Sequence, residues 1–459
     1  MKSKVSLFLL LGAVYVLLSY VLLFRDLWMV EVIATKFYPQ WAREIFSLTN
    51  SLATLKLNVW PTLVFLMVVI GMFLTYWRLR AMDRFKTISL TVGFLGLVFF
   101  SYPILSSDIL SYILSDRIAE VYHQNVWTTK PNAFTNDPYY YAVYPIYKAT
   151  DWTNMTRIYG GINQAIFSPV TGITTRHFGS DLIANILSHK LVVFMFTIGT
   201  IGILALLKKP MLGLIVLNPL FLIETVGSGH NDIIMLFFAL LAVFFYKKSN
   251  YLLAGVMLGL STQVKTTPVL LFYFLAQGLI SELKIRGLLK FSSAYIVIVL
   301  AIYFLMGVNP IYTISRTAGS INVLWQSLPS VVSQFFPSLK PLLSVGLLFF
   351  VLWQSLRVLI FRLDPIRIYV QTLLVYLLFF LAAFWNWYPI WLFVFLPFLS
   401  DNRLTNSIIG LTFSSMLAYG VMWLGYRFGY SSGLIPAIMY LTVLSGPAVG
   451  YAISKKIQE

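Results

Sequence analysis

The chain has 459 residues, 59% of them hydrophobic and 11% charged, and it contains no cysteine. A mean hydropathy of +0.82 excludes an ordinary water-soluble globule, and the missing thiols exclude disulfides, cysteine nucleophiles and cysteine metal sites. The net charge of +17 gathers in short loops between apolar runs, which argues for a basic rim facing anionic lipid and against nucleic acid as a partner.

Apolar runs long enough for a bilayer core of roughly 30 Å recur from end to end, and they predict an all-α, polytopic membrane protein with about 14 (12–14) transmembrane helices. The runs fall at 5–24, 59–77, 87–105, 189–207, 211–227, 232–246, 251–264, 267–280, 291–308, 341–356, 368–386, 389–400, 405–425 and 434–453. Those at 251–264, 267–280 and 389–400 are short and read as tilted or half-penetrating elements. The whole of 1–459 reads as a single integral-membrane domain, with 1–24 as an uncleaved first helix rather than a secretory signal.

More than half of the 33 cations, among them Lys2, Lys4, Arg78, Arg80, Arg84, Lys86, Lys247, Lys248, Arg357 and Arg362, share one set of alternate loops with the N-terminus. Translocating Lys and Arg is disfavoured, so that side is expected to be cytoplasmic and to hold both termini of a multi-pass cell-membrane protein.

The longest connection, 106–188, then lies on the extracytoplasmic side and is too long for a passive link. It opens with SSDILSYILSDR, residues 106–117. Over 108–124, Ile109, Tyr112, Ile113, Leu114, Ile118 and Val121 give an apolar flank, against polar Asp108, Asp116, Arg117 and Glu120. That pattern predicts an interfacial helix lying on the membrane. Tyr139, Tyr140, Tyr141, Tyr144 and Tyr147 crowd together further on, suited either to anchoring at the lipid boundary or to stacking on sugar faces.

Ionisable groups at the edges of spans are costly, and by default they mark function. Asp108 stands at the exit of the third run, either as a base primed by its apolar surroundings or as the N-cap of the helix that follows. In NPLFLIETVGSGHND, residues 218–232, Glu224, His230, Asn231 and Asp232 cluster beside Gly227 and Gly229, which permit close backbone approach to a ligand. Lys265, within AGVMLGLSTQVKTTPVLL at 254–271, could hold a lipid-linked phosphate or snorkel to headgroups. Arg316 and Arg427 are further phosphate candidates, and FWNWYPIW at 384–391 offers an aromatic surface. With four separated histidines no structural zinc site is expected. A divalent cation gathered by Asp108, Asp116 and Glu120 stays open.

Taken together, SSDILSY, the aromatic loop, NPLFLIETVGSGHND, AGVMLGLSTQVKTTP and the late WNWYPIWL resemble the integral-membrane GT-C glycosyltransferases over residues 90–400. The nearest likeness is to bacterial polyprenol-phosphate-mannose-dependent alpha-mannosyltransferases. The resemblance implies transfer of a hexose, mannose by likeness, from a polyprenyl-phosphate donor to a glycan or glycolipid on the extracytoplasmic face, with inversion. It implies Asp108 as the catalytic base and no required cofactor. Lys265, Arg316 and Arg427 would meet the donor phosphate, while Glu224, His230, Asn231, Asp232, Tyr112, Trp387 and Tyr388 would meet sugar or acceptor. Where relatives carry Tyr-Gly-Pro, this chain has Tyr159-Gly160-Gly161. A transporter or lipid-linked-glycan flippase is the competing class, followed by a polysaccharide ligase or polymerase. The polar residues collect on one face and the two halves look unlike, which favours the transferase.

Overall fold

The computed structural model describes residues 2–26, 59–140, 151–207, 211–307, 324–431 and 433–458. Arg316, Tyr141, Tyr144 and Tyr147 lie outside the described residues. The described chain is helical throughout, its one β-feature being an isolated bridge between Trp325 and Ala383. It divides into two compact units, Met1–Ile201 with Val216–Ile234, and Gly202–Ile215 with Met235–Glu459.

In the first unit, helices α1 (Lys2–Asp26), α2 (Trp60–Leu79) and α3 (Arg84–Val98) pack together. Helix α4 (Asp108–Glu120) packs on α5 (Gly161–Phe178), and α6 (Leu182–Leu207) follows. The end of α6 and a short α7 (Leu212–Val216), assigned up to Ile215 to the second unit, precede α8 (Pro219–Gly227) of the first. The second unit takes in α9 (Asp232–Lys247) from Met235 onward, then α10 (Tyr251–Thr262), α11 (Val269–Ser281), α12 (Ile285–Leu305), α13 (Leu328–Phe335), α14 (Lys340–Leu359), α15 (Pro365–Phe380), α16 (Ile390–Phe393), α17 (Asn402–Arg427) and α18 (Leu434–Gln458). The last two lie nearly backbone to backbone. A Cβ on Gly446 would fall 2.2 Å from the carbonyl oxygen of Gly410, and Gly446-Pro-Ala-Val-Gly450 has the small-residue spacing that lets membrane helices approach closely.

Among the described residues, 7 helices are long and apolar enough to cross a membrane, or up to 8 if the bent pair α8 and α9 forms one span. The chain is a multi-pass membrane protein in these terms. The seven coincide with the apolar runs at 5–24, 59–77, 189–207, 291–308, 341–356, 405–425 and 434–453. The other seven runs fold into shorter or broken pieces, and local causes are visible. Asn218 caps α8 by accepting from the amides of Leu220 (3.0 Å) and Phe221 (3.4 Å), with Pro219 at the first helical position, so the run at 211–227 restarts midway.

Helix α3 stops after 15 residues, about 22 Å at 1.5 Å per residue. The carbonyls freed at its end find a donor in Lys190 of α6, whose Nζ donates to the carbonyl oxygens of Val98 (3.4 Å), Phe99 (3.1 Å) and Ser101 (2.5 Å). Lys190 is fully buried. In apolar surroundings every backbone acceptor must be satisfied from within the protein, and this side chain lets the chain leave its helix ten residues ahead of Asp108.

Helix α4 corrects the expectation of a surface-lying amphipathic helix. Residues 108–118 are buried almost throughout, Asp116 and Arg117 included, because each of those charges has its own ion partner inside the protein. Tyr139 and Tyr140 are buried as well, in the cluster that holds Ile109, Tyr112 and Ile113, so neither faces a lipid boundary.

Candidate active site

The site is built on the first turn of α4 and the turn between α8 and α9, both in the first unit. The chain ends α8 in a π-helical turn, Ile223–Gly227, and reverses through Ser228–Asn231. The amides of Ser228 and Gly229 return to the carbonyls of Ile223 and Thr225, each at 2.8 Å. Gly229 adopts φ +74°, and a Cβ there would lie 2.4 Å from Ile109 Cδ1, so only glycine lets the turn press against α4. Ser101 Oγ donates to the carbonyl of Val98 (2.7 Å) and lies 3.3 Å from that of Gly227, tying the end of α3 to the same turn.

Asp108 does not serve as the cap: it is the first residue of α4, and Ser107 holds the capping position. Instead Oδ2 accepts from the phenols of Tyr112 (3.2 Å) and Tyr159 (3.3 Å), with His230 Nδ1 at 3.8 Å. Tyr112 Oη also lies 3.2 Å from Asn231 Oδ1, and Asn231 donates to Asn163 at 3.1 Å. On the far side of the imidazole, Nε2 lies 3.3 Å from Glu224 Oε2, and Asp232 Oδ2 lies 3.9 Å from Nδ1. Thus Asp108, Tyr112, Glu224, His230, Asn231 and Asp232 come together. Glu224, Asn231 and Asp232 are buried behind Asp108, which keeps 11% of its side chain exposed. Burial, and then the Asp108 charge, push the Tyr112 phenol well above its usual range, so it remains a hydrogen-bond donor at any working pH.

Asp108 opens onto a pocket whose polar wall is Ser111, Ser115, Thr156, Arg157 and Tyr159. Two ion clusters are built on α4. Arg157 Nη1 meets Asp116 Oδ1 at 2.5 Å, and His189 Nε2 lies 3.4 Å from Asp116 Oδ2, all three buried. Arg117 grips Asp137 through Nη2 (2.9 Å) and Nε (3.2 Å to both oxygens), with the Tyr122 phenol on the same carboxylate at 2.8 Å. Burial, followed by that bond to Asp137, pushes Tyr122 up to about 12. Glu120 accepts from Ser168. Asp116 and Glu120 therefore have protein partners of their own, and among the described residues no group of three His, Asp or Glu stands ready for a metal ion. Arg157, Asp137, His189, Lys190 and Tyr159 carry no local site signal in the sequence. Their signal was burial and pairing, which a single sequence does not display.

The second unit collects a different group. Lys265 Nζ lies 6.0 Å from the centre of the Trp391 ring, which stacks on Tyr388 at 4.0 Å. Trp387 packs edge-on against Tyr388 and stacks on Trp385. Arg427 is exposed in the last turn of α17.

Comparison with known proteins first gives the class. Residues 32–281, just over half of the chain, match the model of an alpha-(1->6)-mannopyranosyltransferase N-terminal domain, so the protein is a glycosyltransferase of the mannosyltransferase kind. It belongs to the alpha-(1->6)-mannopyranosyltransferase family. The matched segment contains Asp108, the 218–232 stretch and Lys265, while Arg316, Trp387, Tyr388 and Arg427 lie beyond it. No curated protein and no solved structure matches the chain.

Proposed function

We propose that the protein moves a mannosyl group from a polyprenyl-phosphate donor to a hydroxyl of a glycan or glycolipid, on the extracytoplasmic face of a GT-C-type membrane fold. The transfer inverts the anomeric centre, with Asp108 as the general base. The α(1→6) linkage in the family's description is part of the same proposal.

The observation that supports it is the Asp108 carboxylate. Both phenols donate to Oδ2, which leaves Oδ1 without a hydrogen-bond partner among the described residues, in a group that lines the pocket. In the step proposed, the acceptor hydroxyl gives its proton to Asp108 as its oxygen attacks the anomeric carbon. The bond from that carbon to the phosphate oxygen breaks, and its electron pair leaves with the prenyl phosphate. A phosphate is a fair leaving group, so no general acid is needed, only donors to receive the growing charge. Tyr112, Tyr159 and His230 hold the carboxylate, and Glu224, Asn231 and Asp232 hold them in turn, so these act as positioning residues. Lys265, Trp387, Tyr388 and Arg427 belong to the other unit, and no step is assigned to them.

The test is purified protein in nanodiscs, with radiolabelled polyprenyl-phosphate-mannose and extracted glycolipids, without any ion gradient. A new glycosidic product from the wild type, formed roughly 10²–10⁴ times more slowly by a folded Asp108→Asn variant, is the expected result. Turnover at the wild-type rate in that variant removes Asp108 from the mechanism. Movement of lipid between leaflets with no new bond replaces the transferase by a flippase.

A further inference from the structure

Arg157 is a buried cation that is only half used. Its Nη1 is committed to Asp116 at 2.5 Å, whereas Nε and Nη2 have no hydrogen-bond partner among the described residues. Its side chain is 1% exposed, and the residue lines the pocket onto which Asp108 opens. The guanidinium is planar, and Nε–H and Nη2–H point the same way along one edge, the fork that receives two oxygens of a phosphate or carboxylate. Desolvated cationic donors left unmatched are costly, and native proteins rarely keep them without a ligand to receive.

The surrounding charges explain why the fork stays in place. Asp116 neutralises the guanidinium and fixes its plane. Asp116 is in turn held by His189 at 3.4 Å, whose ring stacks on Phe167 at 5.1 Å and whose Nδ1 lies 3.0 Å from the Asn185 carbonyl oxygen. The backbone is pinned as well, since the Arg157 amide donates to the Val126 carbonyl at 3.0 Å. Ser111, Ser115 and Thr156 line the same pocket. The combination, a fixed two-donor cationic edge on a residue of a polar-lined pocket, fits an anion with several oxygens.

We propose that Arg157 is the anion clamp of this pocket, and that its Nε–Nη2 edge takes the phosphate of the prenyl carrier. The assignment rests on the transferase reading of Asp108. The donor is a phosphodiester with one negative charge. When its anomeric carbon–oxygen bond breaks, the departing monoester carries two, and the proton from the acceptor resides on Asp108. An arginine at the phosphate gains interaction as that charge grows, so Arg157 contributes to turnover as well as to binding. Neither Lys265 nor Arg427, the cations singled out from sequence, belongs to the unit that holds Asp108.

The experiment compares binding of farnesyl phosphate and of farnesol to the purified full chain in nanodiscs. It uses wild type, Arg157→Lys, Asp108→Asn and the double variant Asp116→Asn with Arg157→Gln. Arg157→Lys keeps a charge for Asp116 but loses the fork, and the double variant replaces the ion pair with a neutral one of similar shape. The wild type is expected to prefer the phosphate over the alcohol. Arg157→Lys should lose at least tenfold of that preference, and its kcat with the mannosyl donor should fall together with a rise in KM. Asp108→Asn should keep the preference. If Arg157→Lys fails to fold, the double variant must show the loss. A folded Arg157→Lys or double variant that prefers farnesyl phosphate as strongly as the wild type overturns the clamp and leaves the Asp108 reading standing. A wild type that does not distinguish phosphate from alcohol overturns the prenyl-phosphate donor, and the clamp with it.

Discussion

Asp108 and Asp116 stand on one helix, two turns apart, and the protein treats them in opposite ways. Asp116 is clamped by Arg157, contacted by His189, and fully buried. Asp108 is held by two neutral phenols and an imidazole at longer range, on one oxygen only, at the wall of a pocket. A carboxylate bound into a guanidinium pair is committed to structure, since breaking such a pair leaves an uncompensated buried charge. One held on a single oxygen by hydroxyls is fixed in position and keeps an atom free for chemistry. The partners separate the two roles, and the residue type does not.

The sharpest test of that contrast is Asp108→Asn, which keeps shape and removes the accepting charge. Turnover is expected to fall by roughly 10²–10⁴, the range for loss of a general base, with the thermal midpoint close to wild type. A large loss of stability without a specific loss of turnover would place Asp108 in the same structural class as Asp116.

The opposite outcome is expected at Asp137, whose carboxylate takes three bonds from Arg117 and one from Tyr122. Asp137→Ala leaves Arg117 buried and unpaired, which costs about 3–5 kcal/mol, measured as a lowered thermal midpoint in nanodiscs. The fraction that remains folded should turn over at the wild-type kcat. If kcat per folded molecule falls a hundredfold, the division of α4 into a chemical end and a structural end is wrong.

Sequence made one end of this helix far more legible than the other. Asp108 stands out because a carboxylate at the end of a long apolar run is either a primed base or a helix cap, and the 218–232 stretch because Gly227 and Gly229 flank so many ionisable groups. Asp116, Arg117 and Glu120 read equally well as the wet side of an amphipathic helix. Their real partners, Arg157, Asp137 and Ser168, lie 41, 20 and 48 residues away, and no local period encodes such pairings. The same limit applies to the spans. Seven apolar runs became long helices, but hydropathy alone could not show that Lys190 receives the end of α3 or that Asn218 restarts the chain at α8.

Lys190 provides a test of intermediate size, bearing on whether the approach to Asp108 is held as firmly as Asp108 itself. Lys190→Met removes the donor for the carbonyls of Val98, Phe99 and Ser101. About 1–3 kcal/mol of stability should be lost for buried acceptors left unmatched, read from the thermal midpoint. Lys190→Arg, which can still donate to several carbonyls, should recover part of both stability and turnover. Full turnover in Lys190→Met would show that the segment between α3 and α4 keeps its course without this contact.

The smallest expected effect is at the phenols, and it asks whether they act through Asp108. Tyr159→Phe removes one bond of 3.3 Å to Oδ2 and leaves the edge-on packing of the ring on Tyr112 intact, at 5.0 Å between centres. A bond of that length to a charged acceptor sits at the weak end of its class, and losing about 1.4 kcal/mol corresponds to a tenfold drop in turnover. Tyr112→Phe should cost slightly more, because that phenol also meets Asn231 and, with its pKa raised by burial and by Asp108, donates throughout the working range. The decisive measurement is the cycle: in an Asp108→Asn background either phenol substitution should have little further effect on turnover. If each costs the same tenfold there, the phenols contact substrate independently, and the orienting role assigned to them is replaced by a binding one.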